Sequence, residues 1–147
     1  MKKITLLIIG CFCLTFLPAQ EKKSNKLDEA AVPASVKSKF AALYPGIKAE
    51  KWENENGNFE AKFHQNKTEM SVLLAADGNL LETETEIKVS ELPKSVTDYI
   101  AKNKPGKKIK EASKIVDTKG VMTYEAEIEH TDLIFDKNGN FLKEAKG

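Results

Sequence analysis

The five residues Val32-Pro33-Ala34-Ser35-Val36 return 60 positions later as Leu92-Pro93-Lys94-Ser95-Val96, and this repetition decides the fold. Other segments recur in the same order: Pro45-Gly46 as Pro105-Gly106, Phe59-Glu60-Ala61 as Tyr124-Glu125-Ala126, and Asp77-Gly78-Asn79-Leu80-Leu81 as Asn138-Gly139-Asn140-Phe141-Leu142. An ordered repeat at a nearly constant displacement indicates a duplicated structural unit. We therefore predict one domain, residues 31–147, that is made of two repeats, residues 31–89 and 90–147.

Each repeat begins with a short predicted helix. Pro33 and Pro93 suit the first helical position, where a missing N–H removes no hydrogen bond. An apolar stripe at helical spacing follows, formed by Val36, Phe40 and Leu43 in the first copy and by Val96 and Ile100 in the second. Pro45-Gly46 and Pro105-Gly106 end the helices, because proline cannot continue a helix and glycine accepts a left-handed turn.

Strands are predicted after each helix, because apolar and charged residues alternate there. Phe59, Ala61 and Phe63 alternate with Glu60, Lys62 and His64, and the same pattern recurs in residues 82–89 and 124–129. Such alternation is typical of antiparallel sheets with one buried and one solvated face. Hairpin turns are predicted at Asn56-Gly57, Asp77-Gly78 and Asn138-Gly139. The predicted class is α+β, with two helix-plus-four-stranded units that share one sheet and one core, and with helices on one face only.

This ordered set of motifs resembles the PepSY-like family of exported bacterial proteins, which is also described as β-lactamase-inhibitor-like. The resemblance spans the chain after residue 30 and is carried by Val32-Pro33, Phe40, Tyr44-Pro45-Gly46, Trp52-Glu53, Phe59-Glu60-Ala61 and Ala76-Asp77-Gly78-Asn79-Leu80-Leu81. It implies tandem helix-and-sheet units and a periplasmic or surface location. The inhibitor that gives the fold its name blocks its target with an open, concave sheet face. That inhibitor is tied by disulfides, whereas this chain would have no cysteine after cleavage at residue 19. Because a fold also does not define a target, β-lactamase inhibition is not expected here.

The N-terminal residues are typical of a secretory signal peptide. Lys2 and Lys3 precede an apolar run, Ile4 to Leu17, which is shorter than the roughly 20 residues that span a bilayer. We predict a signal peptide over residues 1–19, a flexible tether over residues 20–30 and a periplasmic location, with no transmembrane segment in the mature form. In an alternative interpretation, Ile8-Ile9-Gly10-Cys11 is a lipobox, and Cys11 becomes a lipidated N-terminus. Both cysteines precede residue 19, so cleavage there leaves no thiol.

The composition excludes several classes of function. Without Lys2 and Lys3, 21 of the 23 basic residues remain, against 22 acidic residues. Every basic residue is lysine. This balance, without arginine, argues against nucleic-acid binding. No serine lies in a nucleophile-elbow motif, and Ser35 and Ser95 fall in helix first turns, where we expect them to satisfy backbone donors. Asp136-x-Asn138-Gly139-Asn140 lacks the closing glutamate of a calcium loop, and no element carries a histidine pair. We predict no catalytic residue, metal site or cofactor.

The remaining candidate is a binding site on the open sheet face. It comprises the charged strand positions and the single tryptophan: Trp52, Glu60, Lys62, His64, Glu82, Glu84, Glu86, Glu125, Glu127 and Glu129. Charged residues on an open face also simply solvate it and discourage sheet association. Trp52 is interpreted either as core or as an exposed anchor. The predicted function is that of a monomeric, non-enzymatic periplasmic protein that binds another exported or envelope protein or peptide, with a role as its inhibitor or modulator. The alternative is small-ligand or cation binding.

Overall fold

The computed structural model describes residues 24–146, which form two helices and nine strands. The helices are α1, Ala34–Leu43, and α2, Lys94–Asn103. The strands are β1, Ser24–Leu27; β2, Lys51–Glu55; β3, Asn58–Gln65; β4, Thr68–Leu74; β5, Leu80–Glu86; β6, Glu111–Asp117; β7, Met122–Ile128; β8, Thr131–Asp136; and β9, Phe141–Lys146. The predicted signal peptide and the lipidation alternative at Cys11 lie outside the described residues.

All nine strands belong to one antiparallel sheet whose spatial order follows the chain order from β1 to β9. The pairing continues across the repeat boundary, where β5 and β6 are hydrogen-bonded neighbours. Along the register, Ala61, Val72, Thr83 and Val116 lie on the same face, and Ala112 shares that face because it is four residues from Val116 on one strand. Both helices pack on this face. The predicted α+β class with a one-sided, open sheet is therefore confirmed.

The predicted single core is wrong, because each repeat has its own hydrophobic cluster. The first joins Val36 and Phe40 of α1 to the inner side chains of its sheet half, and Phe40 contacts Trp52 edge-to-face with ring centroids 5.6 Å apart. The second joins Val96 and Ile100 of α2 to the other half. Thr83 and Lys114, which are only half-buried, lie on the inner face where the two halves meet. Polar side chains at that junction interrupt the apolar packing.

The repeated serines attach each helix to the last hairpin of its own repeat. Ser35 Oγ donates a hydrogen bond of 2.8 Å to the carbonyl of Ala76, and Ser95 Oγ donates one of 2.9 Å to the carbonyl of Asn138. The expectation that these hydroxyls satisfy free backbone donors of the helices is wrong, because each hydroxyl instead donates to a hairpin carbonyl and neither helix has a side-chain cap hydrogen bond. Two motifs that recur together in the sequence thus contact each other in the fold.

The predicted flexible tether over residues 20–30 is wrong in its described part. Ser24–Leu27 pair with β2 as an edge strand, and Asp28 accepts a hydrogen bond from the amide of Ala30 ahead of a short 3-10 turn, Glu29–Ala31. Leu27 lies opposite Trp52 and packs on the first hydrophobic cluster. Two features outweigh the polar composition of this segment. β1 satisfies backbone groups of β2 that would otherwise form an open sheet edge, and the apolar Leu27 side chain is removed from water.

Candidate binding face

The sheet face opposite the helices is concave. A depression of about 400 Å³ on this face is lined by side chains from strands β2 through β8. In a flat sheet those two strands would lie about 29 Å apart, so the sheet must curve around the depression. The register shifts between Leu73 and Leu74 and again between Ile134 and Phe135, at equivalent positions of the two repeats. Bulges of this kind bend a sheet, and here they recur with the repeat.

The lining of this depression, which we call the concave face, is strongly acidic. Ten carboxylates and two lysines line it, a formal charge of −8 when all are ionised. The carboxylates are Glu53, Glu55, Glu60, Glu69, Glu84, Glu86, Glu111, Glu125, Glu127 and Asp132, and the lysines are Lys51 and Lys62. Concentrating one sign of charge in a low-dielectric depression focuses its field outward and favours cationic ligands.

Six of the ten residues predicted from the sequence line the concave face: Glu60, Lys62, Glu84, Glu86, Glu125 and Glu127. Glu82 belongs to the same row of the sheet and lines a smaller adjoining recess. His64 lies at the end of β3, outside the depression, with its Nδ1 2.9 Å from Glu50 Oε1. These placements follow the predicted alternation of β3, β5 and β7.

Two predicted site residues lie elsewhere. Trp52 is only 5% exposed and packs under α1, so the interpretation as an exposed anchor is wrong. Its position opposite Ala61 places it on the helix-covered side of β2. Glu129 adopts a positive φ of 46° in the β7–β8 turn and does not continue the row of Glu125 and Glu127. Instead its Oε2 accepts a hydrogen bond of 2.6 Å from Lys107 Nζ, which lowers the pKa of Glu129.

Lys62 is the cation around which the first-repeat half of the concave face is organised. Its Nζ lies 3.3 Å from Glu53 Oε2 and 3.9 Å from Glu60 Oε2, and Lys51 Nζ binds the other oxygen of Glu53 at 2.8 Å. Burial by itself lowers the pKa of Lys62, but the carboxylates of Glu60, Glu53 and Glu84 outweigh it and raise the pKa above 10.5. The ammonium is therefore charged and lies between the carboxylates of Glu53 and Glu60.

Carboxylates of the concave face also repel one another. Burial raises the pKa of Glu111, and the charges of Glu127, Glu69 and Glu86 raise it further, while Lys62 acts in the opposite direction. Glu53 and Glu60 are 7% and 5% exposed and lie directly opposite each other on β2 and β3. Like charges directly opposite each other destabilise a sheet, and a nearby cation offsets this repulsion. Beside Glu53 and Glu60 that cation is Lys62.

Five carboxylates and one lysine of the lining were missed from the sequence: Glu53, Glu55, Glu69, Glu111, Asp132 and Lys51. The signal for Glu69 was present in the Asn66-Lys67 turn, whereas Asp132 follows a turn that its residue types do not mark. Once residues 66–67 and 129–130 are placed in turns, the register puts Glu69 opposite His64 and Asp132 opposite Glu127. Glu53 and Glu55 alternate with Trp52 and Asn54, but a five-residue strand gives too short a pattern to assign a face.

Within residues 24–146, no group of three or more histidine, cysteine, aspartate or glutamate side chains is placed to hold a metal ion. The carboxylates of the concave face are spread along the depression rather than gathered around one point. The Asp136 carboxylate, considered for a calcium loop, accepts hydrogen bonds of 2.8 Å from the amides of Asn138 and Asn140 inside the β8–β9 turn. No helix in the described part of the chain is long and apolar enough to cross a bilayer.

The chain belongs to the PepSY-like, β-lactamase-inhibitor-like family, whose sequence model matches it twice, over residues 19–82 and 75–143. The predicted family and the predicted duplication are thus confirmed. No curated protein matches the chain.

Solved structures of similar fold come from Bacteroides. A protein from Bacteroides eggerthii that is described as periplasmic superposes with a TM-score of 0.65 at 15% identity, covering 78% of this chain and 88% of that one. A DUF2874 family protein from Bacteroides uniformis gives 0.64 at 16% identity with the same coverage. A BLIP-like protein from Bacteroides fragilis gives 0.57 at 24% identity, covering 78% and 86%. At these identities the likeness establishes the fold alone.

Proposed function

We propose that this protein is a non-catalytic periplasmic binding protein that captures another exported or envelope protein through its concave face. The observation that carries the proposal is the uncovered, curved sheet face with its concentrated negative charge. A surface that bends around a depression offers more contact area than a flat one, and its field accelerates the encounter with a partner of opposite charge. Membership of a family described as inhibitor-like supports a role as an inhibitor or modulator of that partner.

The periplasmic location is supported by the signal-peptide pattern of residues 1–19 and by structural neighbours described as periplasmic. An intact-mass measurement of the exported protein separates cleavage after Ala19 from lipidation at Cys11. A mass that begins at Gln20 is expected. A mass that corresponds to a chain beginning at Cys11 with attached acyl chains would show that the protein is a membrane-anchored lipoprotein instead.

The test of the proposed function is capture from the native envelope fraction with matched variants, followed by mass spectrometry. Glu84→Ala/Glu86→Ala removes two carboxylates from the concave face, whereas Glu29→Ala/Asp98→Ala removes two exposed carboxylates from the helix side. A partner retained by the wild type and by the second variant, but lost from the first, is expected. A partner that is lost equally from both variants, or from neither, contradicts binding through this face.

Small-ligand binding is tested by thermal shift. A depression of about 400 Å³ is within the range of small-molecule sites, but its lining is far more polar than is usual for them. We therefore expect no saturable rise in melting temperature with metals or small neutral solutes. A saturable rise would favour the small-ligand alternative over protein capture.

A further inference from the structure

The β5–β6 ladder, which joins the two repeats, is less buried than the ladders inside each repeat. It pairs residues 82–86 with residues 113–117, and of these ten residues only Ser113 is buried. Inside the first repeat, by contrast, Ala61 lies opposite Val72 and both are 0% exposed. The repeats are therefore joined where the sheet has the least support from a core.

One row of side chains across the inner face shows how the apolar packing is interrupted. Following the strand registers from β3 to β8, the row runs through Phe63, Met70, Thr85, Lys114, Tyr124 and Phe135. The first two side chains pack in the first hydrophobic cluster and the last two in the second. Thr85 and Lys114, between them, are half-buried and belong to neither cluster. Apolar packing therefore does not fix the orientation of one repeat relative to the other.

A junction of this kind permits relative motion. Two compact units change their relative orientation unless a large apolar interface holds them, and here each unit has its own cluster. The twist between neighbouring strands ranges from about −10° to −35° among sheets, so a ladder without a core beside it can change its angle while its backbone hydrogen bonds remain. The β5–β6 ladder therefore has the properties of a hinge.

The two sides of this hinge carry like charge on the concave face. Strands β2 to β5 contribute six carboxylates and two lysines, a formal charge of −4, and strands β6 to β8 contribute four carboxylates, also −4. Burial raises the pKa of Glu111 most, followed by the charge of Glu127 in its own repeat. Glu69 and Glu86 of the first repeat raise the same pKa further, so charges act on each other across the junction.

We propose that the two repeats swing as rigid bodies about the β5–β6 ladder, and that repulsion between the two halves of the concave face holds this face open. Screening or neutralising the charge lets the face close. Because α1 and α2 lie on the opposite side of the sheet, closing the concave face moves the two helices apart. The motion belongs to the unbound molecule and does not depend on the proposed function.

The hinge is tested by double electron-electron resonance, which measures the distribution of distances between two spin labels. The chain that begins at Gln20 contains no cysteine, so introduced cysteines carry the only labels. Ser38→Cys and Asp98→Cys place labels at equivalent, exposed positions of α1 and α2 and report the angle between the repeats. Ser38→Cys with His64→Cys, both exposed and both in the first repeat, is the control within one rigid body.

We expect the distance distribution between the repeats to be about twofold or more wider than the distribution within the first repeat. Thr85→Val/Lys114→Met completes the apolar row and should narrow it toward the control. Thr131→Val/Lys143→Met makes the same chemical changes inside the second repeat and should leave it wide, and circular dichroism melts verify that each variant is folded. Equal widths between and within repeats would overturn the hinge, and so would a width that the junction variant does not change.

The electrostatic part is tested with salt. Raising the salt concentration from about 0.01 M to 1 M shortens the screening length from about 30 Å to 3 Å, so the mean separation of the labels on α1 and α2 should increase. Glu111→Gln/Glu127→Gln reduces the charge of the second half from −4 to −2 and should reduce this increase by about half. Glu29→Gln/Glu129→Gln makes the same change of net charge outside the concave face and should not affect it.

A label separation that does not respond to salt, or a response that both pairs of substitutions reduce equally, would overturn the electrostatic opening. No partner takes part in these measurements. Their failure therefore leaves capture by the concave face to its own test with the envelope fraction, and failure of that capture leaves the hinge unaffected.

Discussion

Val36 and Val96 hold the same position in α1 and α2, both are 0% exposed, and they belong to separate hydrophobic clusters. Replacing either by alanine removes two methyl groups, which costs about 1.6 kcal/mol in transfer free energy, and the cavity adds about 1 kcal/mol. Alanine is the better helix former by about 0.5 kcal/mol, which offsets part of this loss. We therefore expect each substitution to lower the free energy of unfolding by about 2 kcal/mol.

The double variant tests whether the cores are separate. Because the two valines share no cluster, the effects of Val36→Ala and Val96→Ala should add to within about 0.5 kcal/mol. Urea denaturation followed by circular dichroism measures the free energy of unfolding, and the slope against urea checks that each variant remains two-state. Val36→Ala with Val72→Ala, both in the first cluster, is the matched control and should deviate from additivity by more than that. A coupling energy above about 1 kcal/mol between Val36 and Val96 would refute two independent cores.

Three further predictions concern single contacts. Gly78→Ala should destabilise the protein by about 1 kcal/mol more than Gly57→Ala. Both glycines have φ near 90°, but of the two only a Cβ at Gly78 would approach a backbone atom, the Ser35 carbonyl oxygen at 2.9 Å. Equal losses of melting temperature would contradict this. Lys62→Met should lower stability by about 1 kcal/mol at neutral pH, a modest value since the side chain is 38% exposed. The folded pKa of Lys62 is raised, so this contribution is present below pH 10.5 and disappears as the pH rises through the folded value; a loss that persists at higher pH would point to packing instead. Lys107→Met should raise the pKa of Glu129 toward its ordinary value in an NMR titration, whereas Lys108→Met should leave it unchanged.

Much of the fold could be predicted because local patterns and global structure agree. The Pro-Gly pairs, the glycine turns and the alternation around Ala61 and Ala126 each act within a few residues. The division into two cores could not be predicted in this way, since it depends on which side chains meet at the β5–β6 junction. Likewise, β1 is set by pairing with a strand some 25 residues further along the chain, and its own polar composition gives no such indication.

The candidate site was predictable only where strands were long. The pattern of β3 and β5 placed Glu60, Lys62 and Glu84 correctly, but Trp52 sits in a short strand whose face is fixed by its register with Ala61. Glu129 was misplaced because the β7–β8 turn uses Glu129 and His130 at positive φ, and neither residue type marks such a turn as glycine or asparagine does. The concave lining gathers ten carboxylates from strands that are far apart in the sequence, and the register shifts at Leu73/Leu74 and Ile134/Phe135 leave no mark in the sequence pattern.

Spatial order that follows chain order, from β1 to β9, has a consequence for how the molecule forms. Every strand finds its neighbour in the segment made just before it, so a chain that emerges N-terminus first, from a ribosome or an export channel, can add hairpins one at a time. The first repeat contains its helix, its hairpins and its own apolar cluster, and it can consolidate while the second is still being delivered. Its last strand, β5, then offers a ready template on which the second repeat begins to assemble.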